Sequence, residues 1–320
     1  MSAAVQPAPE RSSPSSSQLA VAYSVCRHIA RSAARNFYYA FLVLPQRKRQ
    51  SLCAVYAFMR WCDDIADDNT VPVRERHARL ALLLETLHRV QAGIPTDDPV
   101  LLALTDTQRR FNIPAELLDQ LAYGTMMDVQ ELEDEPGFAV FPSRPADSQI
   151  TIRYRTFNDL YQYCYCVASV VGLVCIRVFG YRNPTAEALA ERCGLAFQLT
   201  NIIRDVKEDA QMGRVYLPEQ DLASFGIMTS ELQQGADLAR FRPLLAMEAE
   251  RAREYYQAGD ELIPLVDEDS QPALWVLITI YRRLLEKIAR RQYDVFRSKI
   301  ALTTPEKLAI LTRGFLKRLA

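Results

Sequence analysis

"ALWVLITIYRRLLEKIARRQYDVF", Ala273–Phe296, sets the fold class. Its residues Leu274, Leu277, Ile278, Tyr281, Leu284, Leu285 and Ile288 follow i, i+3, i+4, i+7 spacing, which is one face of an α-helix. Arg282, Arg283, Lys287 and Arg290 fall largely off that stripe, so the stretch predicts a helix with one buried and one wet face. The same period runs through Val73–Gly93, Ala115–Leu132, Phe157–Gly180 and Glu187–Gly213, and Gly93 marks a helix end. No run alternates with period two between turn signals, so almost no sheet is expected. Glu133–Thr151, with Pro136, Pro142 and Pro145, reads as an irregular surface loop, and Gly213–Ile227, with Pro218, as a linker between helices. No solenoid-scale repeat is visible. The expected fold is one all-α domain over residues 19–320.

Composition narrows the function. The formal charge is -1, from 38 basic and 39 acidic residues, which gives no reason to expect nucleic acid as a partner. The seven cysteines are odd in number, form no CxxC pair and lie mostly in apolar segments, and three histidines are too few for a usual zinc site. Reduced, buried thiols in a cytoplasmic protein are the expectation. Residues 1–18 hold the Ser- and Pro-rich stretch "PAPERSSPSSS" and read as a disordered tail without the features of a signal peptide. The longest apolar run, Val167–Ile176, is about half of what a bilayer span needs, so no transmembrane helix is expected. The basic, apolar end "RGFLKRLA" reads first as an ordinary last helix and second as a peripheral membrane contact.

Working outward, "FMRWCDDIADDN", Phe58–Asn69, places Asp63, Asp64, Asp67 and Asp68 directly after an apolar stretch. Asp63 and Asp67 share one helix face, about 6 Å apart along the axis, and repel unless something neutralises them. By itself this reads as a solvated helix end. A second group weighs against that. Gln198, Asn201, Asp205 and Asp209 follow steps of three, four and four, flanked by Phe197, Ile202, Ile203 and Val206. A polar stripe between apolar neighbours reads as the lining of a largely apolar cavity. Two facing carboxylate pairs suit Mg2+, which takes oxygen ligands and commonly shares them with substrate phosphates. Arg60, Arg204 and Arg214 would complete an anion site at the cavity mouth.

In extended context these motifs resemble the squalene/phytoene synthases. "YAFMRWCDDIADD" is similar to the family's first aspartate-rich motif and "NIIRDVKEDAQMGRVYLP" to its second. "ARNFYYAFLVLP" (Ala34–Pro45) resembles its N-terminal signature and "YRTFNDLYQYCYCVASVVG" (Tyr154–Gly172) its Tyr-rich centre. The resemblance implies an isoprenoid synthase helical bundle around a central apolar cavity, and head-to-head condensation of two allylic prenyl diphosphates through a cyclopropyl intermediate. It implies Asp63, Asp67, Asn201, Asp205 and Asp209 as ligands of Mg2+, with Mn2+ as the alternative ion. Gln198, Arg60 and Arg214 would bind substrate. Phe37, Tyr56, Tyr163, Tyr216 and Tyr281 match positions that line the pocket or touch diphosphate, and core packing is the competing reading for Phe37, Tyr163 and Tyr281. Asp64, Asp68 and Asp128 are lesser candidates. Ser169, where members often carry glycine, puts close packing of those helices in doubt.

Neither a nicotinamide fingerprint nor the aromatic segment of the reductive members follows the second motif, so NADPH is not expected. The reading favours farnesyl diphosphate and the squalene branch. The alternative is 15-cis-phytoene from geranylgeranyl diphosphate. A non-catalytic assembly factor related to the family is disfavoured because both aspartate motifs are intact. A chain-elongating prenyltransferase or terpene cyclase fits the second motif poorly.

Overall fold

In the computed structural model, which describes residues 14–33, 37–68, 70–129, 151–152, 154–234 and 238–319, the helical period becomes a bundle of α-helices. The first half contains α1 (Ser16–Ala33), α2 (Phe37–Phe41), α3 (Gln46–Ala66), α4 (Val73–Gln91), α5 (Pro99–Phe111) and α6 (Ala115–Val129). Then come α7 (Phe157–Cys164), α8 (Val170–Phe179), α9 (Thr185–Gln211), α10 (Glu219–Ser224) and α11 (Thr229–Gln234). The chain ends with α12 (Leu238–Leu262), α13 (Gln271–Arg290) and α14 (Thr304–Leu319). The first helix begins at Ser16, so the expected tail is too long by three residues; residues 1–13 lie outside the described residues, as do Ala34–Asn36 of the N-terminal signature and 130–150 of the Pro-rich loop.

Helix α9 is the central element. It buries Leu189, Phe197, Ile202, Ile203 and Val206, with α12 packed along it and α7, α8, α11 and α13 around it. Helix α3 stands across from it, burying Leu52, Val55 and Phe58 against α1 and α5. These two helices carry the two acidic motifs. The stripe on α13 is buried as its spacing predicts, but the helix stops at Arg290. Gln292 and Tyr293 take left-handed backbone angles, with φ of 54° and 59°, and turn the chain so that Phe296 packs 4.9 Å from the Phe241 ring.

Helices α7 and α8 are one continuous helix interrupted by a π turn over Tyr165–Ser169, in which the Val170 N–H donates to the Tyr165 carbonyl. Thr156 and Asp159 start it as a capping box. The π turn lies between two glycines. A Cβ on Gly194 of α9 would stand 2.7 Å from the Ala168 carbonyl oxygen, and one on Gly124 of α6 would stand 2.8 Å from that of Cys166. Close approach therefore comes from glycines on the neighbouring helices, while the Ser169 hydroxyl donates to the Glu191 carbonyl at 2.7 Å. This resolves the packing doubt raised by that serine. The composite helix Phe157–Phe179 is long and apolar enough to cross a membrane by length and composition, which the run length alone did not suggest. Half of it is buried within the fold, against α6 and α9, which is the setting of a core helix.

A small parallel pair, β1 (Thr151–Ile152) and β2 (Arg214–Val215), is the one sheet among the described residues. Gly213, at φ 79°, turns the chain out of α9 and into β2. The segment read as a linker thus holds a strand and the helix α10.

Candidate active site

A cavity of about 700 Å³ opens between α3 and α9. From α3 and its C-cap it is lined by Met59, Arg60, Asp63, Ala66 and Asp67; from α9 by Gln198, Asn201, Ile202, Arg204, Asp205 and Asp209. The predicted polar stripe faces it without exception. Leu121 and Thr125 of α6 and Cys166, Val167 and Val171 of the composite helix give it an apolar side. Arg214, Tyr216 and Lys299 close it.

Local structure explains each placement. Asp63 lies in the last turn of α3, and Asp67 caps that helix with its N–H bonded to the Asp63 carbonyl at 2.8 Å. The repulsive i, i+4 pair is therefore kept at a helix end beside the cavity. Arg214 Nη2 lies 3.5 Å from the Asp67 carboxylate, which ties β2 to the first motif. Arg204 donates through Nε to Asp205 at 2.7 Å and through Nη2 to its other oxygen. Burial alone would lower the Arg204 pKa, but the Asp205 carboxylate outweighs it and the net shift is upward. Lys299 stands 3.5 Å from Asp205 and also pairs with Glu208. The site is thus a set of carboxylates interleaved with four cations.

The aromatic residues divide into two groups. Tyr163 and Tyr216 line the cavity and stack with ring centroids 5.1 Å apart. Tyr154, which follows β1, packs against both at 5.3 and 6.2 Å. The short strand pair is what brings Tyr154 and Tyr216 onto the Tyr163 ring. Phe37, Tyr56 and Tyr281, by contrast, do not line this cavity. Tyr281 stacks on Phe197 at 4.5 Å and meets Phe37 edge-on at 6.0 Å, so these rings pack behind the wall, in keeping with the place of Tyr281 on the apolar stripe of α13. Tyr56 is partly buried next to Arg60, Asp63 and Tyr281, and burial pushes its phenol upward.

The remaining aspartates point elsewhere. Asp64 is exposed and paired with Arg60, and Asp68 accepts from the Thr70 N–H and hydroxyl, which lowers its pKa. The Asp128 side chain lies outside the described residues. Lys299 is the charged cavity residue that the sequence reading missed, along with uncharged wall residues such as Leu121, Thr125 and Cys166. Its signal lies in no local motif, because the turn after α13 delivers it. All seven cysteines are free thiols and six are buried; Cys166, on the cavity wall, is the partly exposed one.

Among the described residues, no three His, Cys, Asp or Glu side chains come together as a metal centre of their own. The oxygen donors lie on two facing helices. Such a divided set suits hard cations that take part of their coordination from substrate phosphate.

The fold and the site define a helical prenyltransferase, with two acidic helices at the mouth of a partly apolar cavity. A family model described as squalene/phytoene synthase matches residues 18–306, and the chain belongs to that family. The chain is 33% identical to a 15-cis-phytoene synthase of Synechococcus elongatus over 98% of each chain. It is 34% identical to a phytoene synthase of Mycobacterium tuberculosis, covering 90% of this chain and 89% of that one. Among solved structures, a dehydrosqualene synthase in complex with ligand superposes with a TM-score of 0.80 at 30% identity, covering 93% of this chain and 96% of that chain. A squalene synthase from Alicyclobacillus acidocaldarius gives 0.74 at 27% identity, covering 87% and 97%. The family condenses prenyl diphosphates head to head.

Proposed function

We propose that the protein is a 15-cis-phytoene synthase that joins two molecules of geranylgeranyl diphosphate in a Mg2+-dependent reaction. One observation supports this choice above the squalene branch: the phytoene synthases share 33% and 34% identity over 90% or more of the chain, against 30% and 27% for the dehydrosqualene and squalene synthases of similar coverage. The preference for farnesyl diphosphate drawn from sequence is not kept.

Asp63 and Asp67 on one side, and Asn201, Asp205 and Asp209 on the other, would hold Mg2+. When bound, the ion neutralises diphosphate and stabilises it as a leaving group. Arg60, Arg204, Arg214 and Lys299 bind the phosphate oxygens, and Arg204 and Lys299 exchange part of their hold on Asp205 for substrate. Gln198 orients from the same helix face. The stacked Tyr163 and Tyr216 rings present π-electron density to the allylic cation, which aromatic faces attract. Val167, Val171, Ile202 and Leu121 keep water from it. Cys166 sits beside that cation, and burial raises its thiol pKa, so the protonated and poorly nucleophilic form prevails.

The experiment is direct. Purified protein is incubated with Mg2+ and either geranylgeranyl or farnesyl diphosphate, with and without NADPH, and products are identified by mass spectrometry. Phytoene from the first substrate is expected, without a need for NADPH. Presqualene diphosphate or squalene as the sole product would return the enzyme to the squalene branch.

A further inference from the structure

Glu248 of α12 is a carboxylate inside the apolar core, and Arg251, one turn further on, answers it. Arg251 Nη1 donates to both Glu248 oxygens, at 3.0 and 2.9 Å. The same nitrogen donates to Asp221 of α10 at 2.9 Å. The guanidinium also lies over the Phe157 ring, with Cζ 4.1 Å from its centre. Phe157 opens α7. One arginine thus joins α12, α10 and α7. Neither it nor its partners line the cavity between α3 and α9.

Two of those helices hold the Tyr154–Tyr163–Tyr216 group. Tyr163 lies on α7, six residues after Phe157. Its neighbour Cys164 is buried beside the cluster, and the Glu248 charge adds to burial in raising that thiol's pKa. Tyr216 stands five residues before Asp221, with Pro218 and the first turn of α10 between them. The N–H groups of Glu219 and Gln220 donate to the carbonyls of Tyr154 and Arg155 at 2.9 and 3.0 Å. A helix start leaves such donors without partners inside the helix, so α10 is fixed to the backbone at Tyr154 as well. The grip of Arg251 on Asp221 therefore draws Tyr216 and Tyr154 onto Tyr163.

We propose that Arg251, braced between Glu248 and Asp221, is a positioning residue that sets the aromatic wall facing the allylic cation. The role rests on Tyr163 and Tyr216 facing that cation, whichever diphosphate supplies it. Buried charges add little net stability over apolar packing of the same size, because they must be desolvated. Their directed bonds do fix one geometry, where apolar side chains could slide. With the brace loosened, Tyr216 tilts away from Tyr163 and water reaches the cation. The C–O bond to diphosphate then breaks with its electron pair left on diphosphate. A water oxygen bonds to the carbon and releases its proton to solvent, giving a prenyl alcohol and inorganic diphosphate.

The test compares wild type with Arg251→Gln, Arg251→Lys and Asp221→Asn, using Mg2+ with geranylgeranyl and farnesyl diphosphate. Arg251→Gln should lower kcat about tenfold to a hundredfold, the scale of a small misplacement at the reacting atoms. KM should stay within about twofold, because Arg60, Arg204 and Lys299 sit on other elements. The share of prenyl alcohol in the product should rise about fivefold or more as water gains entry. Arg251→Lys keeps the charge but not the flat face over Phe157, and should recover part of kcat. Arg251→Gln leaves two carboxyls without their cation, so Asp221→Asn guards against plain loss of folding. It leaves a balanced Glu248–Arg251 pair, releases only α10, and should lower kcat about fivefold with the same rise in alcohol. Hydrogen exchange of the substrate-free variants should quicken in peptides over 154–163 and 214–224, and not over α1 to α5. Wild-type kcat and alcohol share in all three variants, or a loss confined to KM, overturns the proposal. So does exchange that quickens evenly along the chain. A wild type that condenses neither diphosphate would remove the proposed function, and the exchange pattern alone would then decide whether Arg251 holds the wall.

Discussion

Lys299 stands 3.5 Å from the Asp205 carboxylate, although one belongs to the segment after α13 and the other to the central helix. Arg204 grips the same carboxylate from the neighbouring position. Asp205 is therefore held by two cations at the point where diphosphate is expected to bind. Removing one hydrogen-bonding charge from such a site costs about 1.5–3 kcal/mol. Lys299→Ala should thus lower kcat/KM by roughly tenfold to a hundredfold. Steady-state kinetics with each diphosphate measure it. Unchanged kinetics would remove Lys299 from the anion site.

Asp63→Asn and Asp205→Asn each remove one carboxylate charge from opposite sides of the cavity. Turnover should fall by at least a hundredfold in each, on the scale of losing an electrostatic stabiliser of the transition state. Circular dichroism should stay as in the wild type. Both variants retaining product formation would refute the metal assignment.

Cys166 offers a report on occupancy. It is the partly exposed thiol of the seven and lines the cavity. A maleimide should modify it slowly at neutral pH, because burial raises its pKa. Labelling should slow further when Mg2+ and an unreactive diphosphate analogue are present, as peptide mass spectrometry can follow. Equal labelling with and without the analogue would place the ligand elsewhere.

Glu248 of α12 is 1% exposed and bonds Arg251 at 2.9 Å, and Arg251 also bonds Asp221 of α10 at 2.9 Å. Burial pushes its carboxyl up to about 7. A carboxyl whose pKa is higher in the folded state binds its proton more tightly there. Its stabilising share is complete below the unfolded value near 4.5 and is lost as pH rises through about 7. Thermal unfolding followed from acid to neutral pH should show that decline, on the order of 3 kcal/mol in all. Glu248→Gln should flatten it; an unaltered pH profile in that variant would assign the decline to other groups.

The parts of the site that were legible in the sequence lie within single helices. Gln198, Asn201, Asp205 and Asp209 declared a shared face because steps of three and four fix their direction on α9. Asp63 and Asp67 did so on α3. The stripe on α13 likewise announced a buried face, and Tyr281 proved part of that core behind the cavity wall. What local spacing could not reveal depends on chain reversals. Lys299 reaches the site because Gln292 and Tyr293 adopt left-handed angles that their residue types do not advertise. Tyr154 and Tyr216 meet Tyr163 through two-residue strands too short to leave an alternating pattern. The π turn was hidden too, because its sequence has the same apolar character as the helix on either side.

That π turn makes the cavity wall sensitive to chain length as well as to side-chain identity. It accommodates one more residue than an α-helical turn of the same span. Deleting a single residue between Tyr165 and Ser169 would restore a regular α-helix with the flanking halves still in register, because the π turn covers about the same rotation with one residue more. Tyr163 and Val171 would keep facing the cavity, while the bulge that presents Cys166 and Val167 to it would be lost. A codon lost here would redraw the interior more than most single replacements, which makes this short segment a place where related enzymes can diverge in the chains they accept.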